Sequence, residues 1–157
     1  MNAAVHRCAG SRQLGFTLME LLVVLGILAL CLTLVVPALN RARLGVMVRS
    51  AAYELAAHLR SARAAARAVN VEHILTMDLA QRQYWAEGVV GRRQLPHGIA
   101  VDLTVPESER IRAGAGRVRF LPDGSSSGAT FVLKDARSTA SVLVDWLSGD
   151  VRIQLGP

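Results

Sequence analysis

A long apolar segment that directly follows a glutamate constrains this chain more than any other feature. No charged side chain occurs from Leu21 to Leu39, and Glu20 stands immediately before that segment. A helix crosses a membrane with about 20 apolar residues, so the segment is long enough to span one. Proline is tolerated in such helices, and we expect Pro37 to kink the backbone. The segment therefore predicts a membrane-spanning helix.

Two other interpretations of the segment remain open. A cleaved secretory signal would use Arg7 and Arg12 as its basic start and the Val-Pro-Ala sequence at residues 36–38 as its cleavage site. However, the apolar part of such a signal is usually about 7–15 residues long, and this segment is longer. A plain membrane anchor fits the length, but it leaves Glu20 unexplained.

Glu20 needs a partner of opposite charge. A carboxylate inside a membrane costs several kcal/mol unless it is neutralised or paired. No Lys or Arg occurs between Phe16 and Asn40, so the partner must come from another chain or from an amine created by processing. Cleavage between Gly15 and Phe16 would create such an amine, within reach of Glu20 along the helix or from a neighbouring subunit.

Residues 15–20 resemble a known processing signal. The sequence Gly-Phe-Thr-Leu-Met-Glu, followed by a long apolar helix, is similar to the class III signal of type IV pilins and type II secretion pseudopilins. The resemblance implies that a prepilin peptidase cuts between Gly15 and Phe16 and that Phe16 becomes the N-methylated terminus. It also implies that Glu20 docks the subunit into a growing filament.

The resemblance divides the chain into four parts. Residues 1–15 would be the leader peptide, residues 16–39 the transmembrane and filament-core helix, residues 40–70 an amphipathic continuation of that helix, and residues 71–157 a periplasmic β-rich head. Basic residues lie on both sides of the apolar segment, so charge alone does not orient it. The resemblance places the N-terminus in the cytoplasm and the head in the periplasm, in a single-pass protein of the inner membrane.

A second helical pattern follows Pro37 and continues to about Ala68. Its apolar residues recur at steps of three and four, which predicts one buried face, and Asn70 marks the expected helix stop. Several of these residues are alanines, so the face can approach a sheet closely. The predicted face consists of Leu44, Met47, Val48, Ala51, Leu55, Leu59, Ala62 and Ala66.

A basic stripe lies along the same helix. Arg60, Arg63 and Arg67 are spaced so that they share one side. Cations near the C-terminal end of a helix interact favourably with its dipole, so the stripe fits a solvated surface. The alternative is a surface that binds an acidic partner or nucleic acid.

From His73 onward the apolar period shortens towards two, and turn residues separate the apolar runs. A long helix followed by several short strands predicts an α+β fold, in which the helix packs on an antiparallel β-sheet head. The predicted strands are His73–Leu79, Gln83–Glu87, Ile99–Val105, Arg117–Leu121, Thr130–Leu133, Ser141–Trp146 and Val151–Leu155.

Two glycine-containing turns are expected in the second half of the head. Asp123, Gly124 and Gly128 lie in a Ser-rich stretch that has too few carboxylates for a calcium loop, so we predict a strand-joining turn and no metal site. Gly149 would complete a hairpin turn with Ser148.

Trp146 stands just before that hairpin turn. Strand alternation would place it on the same face as Val142 and Val144, so we expect a core position. The alternative is a residue that contacts a partner.

The same two stretches resemble one pilin-like family. The sequences FLPDGSSSGATFVL and VLVDWLSGDVRI are similar to the C-terminal half of the H-type minor pseudopilins (GspH) of type II secretion, with Ser148 in place of an expected threonine. The resemblance implies a minor subunit at or near the tip of the periplasmic pseudopilus, which helps to export folded proteins. Residues 80–115 carry no such match, and we expect them to form the variable loop region.

The resemblance also implies a set of partners. These are the prepilin peptidase, the other minor pseudopilins and the major pseudopilin, the inner-membrane assembly platform and membrane lipid. The closest alternative function is a minor pilin of a type IV pilus (FimT/FimU-like), acting in pilus assembly, adhesion or DNA uptake. Such pilins can bind DNA through C-terminal arginines. Arg117, Arg119 and Arg152 of this chain are accompanied by acidic residues, so we expect no nucleic-acid partner.

An enzyme is the third possibility. The net charge of +6 permits anionic partners but establishes none, and the two cysteines and four histidines lack ligand spacing. Asp145, Glu72 and His73 could act in catalysis, but no motif places them together. We therefore expect no enzymatic activity, no metal and no cofactor.

Overall fold

In the described part of the chain, one long helix precedes a head of nine strands. The computed structural model describes residues 17–156, with the backbone alone for residues 33–45. Contacts within the chain define two compact units, one ending at Leu39 and the other beginning at Asn40. The elements are α1 (Leu18–Val69), β1 (His73–Asp78), β2 (Gln83–Ala86), β3 (Val90–Gln94), β4 (Ala100–Thr104), a 3-10 turn (Glu107–Glu109), β5 (Arg110–Arg112), β6 (Ala115–Phe120), β7 (Ala129–Lys134), β8 (Thr139–Val144) and β9 (Val151–Gly156).

Helix α1 begins with a capping interaction that involves Glu20. The hydroxyl group of Thr17 accepts a hydrogen bond of 3.2 Å from the backbone N–H of Glu20, which lies in the first helical turn. Threonine followed three residues later by glutamate is a common helix start, because it satisfies free N–H groups and places an acid at the positive end of the helix dipole. Thr17 is therefore the N-cap of α1, and Glu20 contributes a favourable charge in the first turn.

Helix α1 ends at the predicted stop. Asn70 has a φ angle of 54°, and the N–H of Val71 donates a hydrogen bond of 3.3 Å to the carbonyl of Ala66. This arrangement closes the last turn through a residue in the left-handed conformation, which asparagine tolerates better than most residues. The helix stop predicted at Asn70 is confirmed.

The strands form two antiparallel sheets. The first sheet has the strand order β3-β2-β1-β6-β5, and the second has the order β4-β7-β8-β9. Each of the seven predicted strands is present, with ends that differ by two residues or fewer. The predicted α+β class is confirmed, although the head has two sheets where the sequence pattern indicated one.

Residues 80–115, expected to form a variable loop region, carry four strands, so the loop part of this expectation is wrong and the variability stays a prediction. This range contains the whole of β2, β3, β4 and β5. Strands β3 and β5 were not predicted because each contains two arginines and few apolar residues, with the sequences Val-Gly-Arg-Arg-Gln and Arg-Ile-Arg. Their residues alternate weakly between apolar and polar, so no period of two was visible.

The core joins one face of α1 to the inner faces of both sheets. Leu55 and Leu59 of the helix are fully buried, as are Phe120 in the first sheet and Phe131 in the second. The small side chains between them let the sheets approach the helix backbone closely. The buried alanines of the helix are Ala51, Ala52, Ala56, Ala62 and Ala66.

The apolar face predicted from the helical period is therefore largely confirmed. Two of its residues differ from the rest. Met47 is only half-buried, and the side chain of Leu44 lies outside the described residues.

Candidate functional site

The start of α1, where the predicted docking residue lies, exposes its side chains. Glu20 is exposed in the first turn, and the large apolar side chains around it range from Leu18 at 78% exposed to Val24 at 46%. Apolar surface of this extent is stable when lipid or another protein covers it. The helix start thus offers a partner both an acid and an apolar surface.

Several predicted site residues lie at or beyond the edge of the described structure. Gly15 and Phe16 lie outside the described residues, so the cleavage site stays a prediction. The backbone of α1 is helical through Pro37, but the side chain of this residue is outside the described part, and the predicted kink also stays a prediction. Within the described residues, no helical segment combines the length and the hydropathy that a membrane crossing requires.

The two predicted turns meet in one structure, which we name the loop junction. It consists of residues 121–128, which connect the first sheet to the second, and residues 145–150, which connect β8 to β9. The N–H of Ser126 donates to the carbonyl of Trp146 at 2.9 Å, and its hydroxyl donates to the carbonyl of Asp145 at 3.0 Å. Ser126 is buried, so these hydrogen bonds join the two loops away from solvent.

The loop junction depends on backbone conformations that favour glycine. Gly124, Gly128 and Gly149 have φ angles of 93°, 76° and 66°. A β-carbon at Gly149 would collide with the carbonyl oxygen of Gly124, and one at Gly128 would lie 3.2 Å from the β-carbon of Trp146. Glycine at these positions therefore allows both the positive φ angles and the close approach of the two loops.

Helix α1 holds the loop junction through Arg63. The guanidinium group of Arg63 donates one hydrogen bond to the carbonyl of Gly124 at 3.0 Å and another to the carbonyl of Ser148. The side-chain carbons of Arg67 pack beside Gly124. Arg63 thus connects the helix to both loops, and Arg67 packs against the loop that contains Gly124.

The basic stripe is therefore neither a purely solvated face nor a free binding surface. Arg63 and Arg67 contact the loop junction, and Arg60 donates a hydrogen bond of 2.6 Å to the carbonyl of Val151 at the start of β9. Arg60 and Arg67 are nevertheless exposed, so these contacts add a structural role to the solvated surface that the sequence indicated, and binding of an acidic partner or nucleic acid stays a prediction. The spacing along the helix contained no signal for carbonyl partners so far away in the chain.

Two aspartates stabilise the turns themselves. Oδ1 of Asp145 accepts hydrogen bonds from the N–H groups of Ser148 and Leu147 and from the hydroxyl of Ser148, and these donors lower the pKa of Asp145. Oδ1 of Asp123 accepts hydrogen bonds from the hydroxyl and N–H of Ser125, which lower the pKa of Asp123 in the same way. Both carboxylates serve as caps of their own turns.

Trp146 is exposed, so the expected core position is wrong. Strand β8 ends at Val144, and Trp146 lies in the following loop, where it is 67% exposed. The alternation of strand residues does not extend to Trp146, because the chain leaves β8 after Val144 and enters a turn at Asp145. Leu147 beside it is 68% exposed. A role for Trp146 in contacting a partner stays a prediction.

The arginines that a DNA-binding pilin would use are engaged within the head. Arg119 donates a hydrogen bond of 2.9 Å to Glu109, which is buried, and it also pairs with Glu72. These two hydrogen bonds raise the pKa of Arg119, that to Glu109 most strongly. Arg117 lies 3.6 Å from the same Glu109 carboxylate. The network joins β6 to the 3-10 turn and to the residues that follow α1.

The third arginine and the candidate catalytic residues also have local partners. Arg152 pairs with Asp150 at 3.0 Å. Glu72 is engaged by an arginine and Asp145 caps its turn, while His73 lines an open cavity of about 380 Å³ on the outer face of the first sheet. Among residues that the structure describes, no three His, Cys, Asp or Glu side chains form a group that could hold a metal.

Two family models match the chain, one at each end. The prokaryotic N-terminal methylation motif matches residues 10–36, and the type II transport protein GspH matches residues 51–149. The second match includes Arg63 and both loops of the junction up to Gly149. A methylation motif ahead of a secretion-family head is typical of a membrane-anchored protein whose head is periplasmic.

Relatives and solved structures agree with these matches. The type II secretion system protein H of Xanthomonas campestris pv. campestris is 35% identical, over 94% of this chain and 88% of the relative. The minor pseudopilin EpsH of Vibrio cholerae superposes with a TM-score of 0.56 at 12% identity, over 68% of this chain and 95% of that one. The type IV minor pilin FimU of Pseudomonas aeruginosa superposes with a TM-score of 0.50 at 17% identity, over 70% of this chain and 88% of that one.

At such low identities the two solved structures show the fold alone, which is that of a pilin-like head. The family model and the relative carry more information, because one covers most of the head and the other nearly the whole chain. On these two matches, the chain belongs to the GspH family of type II transport proteins.

Proposed function

We propose that this protein is a minor pseudopilin of a type II secretion system, assembled at or near the tip of the periplasmic pseudopilus, where it helps to export folded proteins. The observation that carries the proposal is the order of the two family matches, with a methylation motif at residues 10–36 ahead of a GspH head at residues 51–149. The family is one of structural subunits and not a known enzyme family. Assembly is therefore the activity, and its partners are the other pseudopilins, major and minor, and the inner-membrane assembly platform.

Processing prepares the subunit for assembly. Prepilin peptidase cuts between Gly15 and Phe16, and Phe16 becomes the N-methylated terminus. Before assembly the apolar helix anchors the subunit in the inner membrane, with the N-terminus in the cytoplasm and the head in the periplasm. In the filament, packing between helices offsets the loss of lipid contacts around the exposed apolar side chains of α1.

Glu20 provides the specific contact in this assembly. Its carboxylate pairs with the N-terminal amine of a processed subunit, which neutralises both groups in an apolar environment. The exposure of Glu20 at the helix start supports this role. Its N–H hydrogen bond with Thr17 is a backbone contact that survives substitution of the side chain, so side-chain variants test the docking role itself.

Two substitutions at Glu20 test the charge and the side chain separately. Glu20→Gln removes the charge but keeps the length and polarity of the side chain, whereas Glu20→Ala removes both. If pairing with an amine matters, both variants are processed normally and both enter the pseudopilus poorly, as measured by co-purification with cross-linked pseudopili. Met19→Ala is the matched control. Normal incorporation of Glu20→Gln would show that the negative charge is not needed and would contradict the docking role.

Mass spectrometry of the protein from its host membrane tests the processing step. The N-terminal peptide is expected to begin with N-methylated Phe16, and Gly15→Leu is expected to leave an uncut precursor. A mature chain that still begins at Met1, or that begins beyond Leu39, would overturn the proposal.

The type IV pilus alternative has less support. The likeness to FimU extends to the fold alone, and the arginines expected to contact DNA have acidic partners in the head. Salt-dependent retardation of DNA by the purified protein would favour this alternative.

A further inference from the structure

One edge of the first sheet keeps its positive charges unpaired. Among the described strands, β3 and β5 lie at the edges of the first sheet, and β4 and β9 lie at the edges of the second. Charged side chains on edge strands often prevent unwanted pairing with a strand of another chain. On three of these four edges, charged side chains form ion pairs with neighbouring residues. The neutralised pairs are Arg110 with Glu107, Arg112 with Asp78, Asp102 with Lys134, and Arg152 with Asp150.

Strand β3 differs from the other edges. All its residues after Val90 are exposed, and within the described part of the chain neither Arg92 nor Arg93 forms an ion pair or a side-chain hydrogen bond. The guanidinium group of Arg92 lies 5.0 Å above the ring of Trp85, a contact that leaves its N–H donors available. Since consecutive strand residues point to opposite faces, the two arginines place positive charge on both sides of this edge.

The backbone of β3 also offers free hydrogen-bonding groups. The N–H of Leu95 donates to the carbonyl of Arg82 at 2.7 Å, and the register of β3 against β2 continues from that pair. Because bonded and non-bonded pairs alternate along antiparallel strands, the N–H and C=O of Arg93 face β2. Those of Gln94 consequently point away from the sheet, where another strand could bind them, whereas the register shifts between Tyr84 and Ala86, so the alternation does not extend to Arg92.

There is also room for side chains beside this edge. An open cavity of about 430 Å³ lies along the β2–β3 hairpin, and its lining includes Trp85, Val90 and Arg92 together with one acid, Glu87, near the turn. An added strand would place alternate side chains over this cavity. The edge therefore combines free backbone groups, two unpaired cations and space for side chains.

We propose that an extended acidic segment of a partner protein pairs with β3 and adds a strand to the first sheet. Main-chain hydrogen bonds to Gln94 begin the strand pairing. Arg92 and Arg93 select two consecutive acidic residues, one on each face, through charge-assisted hydrogen bonds. The surface does not involve Glu20, so the proposal can fail without affecting the assembly role of the helix.

Fluorescence anisotropy with the full-length protein in detergent tests this surface. The probe is a short fluorescein-labelled peptide with a central Glu-Glu pair between alternating threonine and valine, and a Lys-Lys peptide is its control. The acidic peptide is expected to bind saturably and the basic one is not. The double variant Arg92→Gln, Arg93→Gln is expected to bind at least about tenfold more weakly, whereas Arg110→Gln on the β5 edge is the matched control and binds normally.

A further variant separates strand pairing from simple charge attraction. Gln94→Pro removes an outward N–H but no charge, so strand pairing predicts a loss of about tenfold or more. A probe that is N-methylated on its pairing edge gives the same information without any change to the protein, and it is expected not to bind. Failure of the acidic peptide to bind, or equal binding of the N-methylated probe, would overturn the proposal.

Discussion

The carbonyl oxygen of Gly124 occupies the space that a β-carbon at Gly149 would need. The two glycines belong to different loops, and both have positive φ angles. Arg63 of α1 donates hydrogen bonds to the carbonyls of Gly124 and Ser148, so helix and loops form one structural unit. The two stretches that resemble the family thus meet in space, and their shared role is to join the two sheets to the helix.

A side chain at Gly149 is expected to destabilise the head strongly. Gly149→Ala is expected to lower the free energy of unfolding by about 3 kcal/mol or more, because the collision with Gly124 adds to the cost of a positive φ angle. Gly88→Ala is the matched control, since Gly88 has a φ angle of 73° and no atom within 4 Å of its would-be β-carbon. Chemical denaturation of both variants measures the difference, and equal losses would mean that the close approach of the loops is unimportant.

Removal of the Arg63 side chain is expected to loosen the loop junction. Arg63→Ala is expected to cost about 2 kcal/mol of unfolding free energy, because two backbone carbonyls lose a charged donor. Arg63→Lys is expected to restore only part of this, since an ammonium group lacks the fork that reaches two carbonyls. Arg137→Ala, at an exposed position in the β7–β8 turn, is the control. If Arg63→Ala were as stable as the unchanged protein, the hydrogen bonds of Arg63 would not be what holds the loop junction to the helix.

Because Trp146 is exposed, removal of its side chain is expected to cost less stability than removal of a core side chain. Trp146→Ala is expected to lower the unfolding free energy by less than about 1 kcal/mol, because most of the residue is already in solvent. Phe131→Ala, at a fully buried position, is expected to cost about 3–5 kcal/mol. Thermal unfolding followed by circular dichroism compares the two. A similar loss for both would place Trp146 in the core after all.

The turn-capping aspartates predict a loss of stability in acid. Hydrogen bonds from the N–H of Ser148 and from the other donors around the Asp145 carboxylate hold the pKa of Asp145 below the ordinary value of 3.8. The native state therefore favours the ionised carboxylate. This stabilisation is fully present above the unfolded-state pKa and is lost as the pH falls through 3.8 towards the lower native pKa. Asp145→Asn keeps an acceptor oxygen but cannot titrate, so its stability is expected to fall less steeply between about pH 5 and pH 3. An unchanged slope in denaturation experiments would argue against the cap.

Local patterns predicted most of the regular structure. The seven strands with visible alternation were found, as was the helix stop at Asn70, because both signals depend on residues close together in the chain. Strands β3 and β5 were not predicted because their exposed arginines interrupt the alternation of apolar and polar residues. Trp146 was misplaced for a related reason, since alternation was extended past Val144, where the strand had already ended.

Local sequence was thus sufficient for the fold class, the N-terminal methylation motif at residues 10–36 and the turn glycines, because each is encoded by neighbouring residues. Tertiary packing determined which contacts those elements make with one another. It brought Gly124 against Gly149, gave Arg63 two carbonyl partners and left the edge of β3 with unpaired charges. These contacts join residues far apart in the chain, and their geometry exists only after the helix and both sheets have packed around the common core.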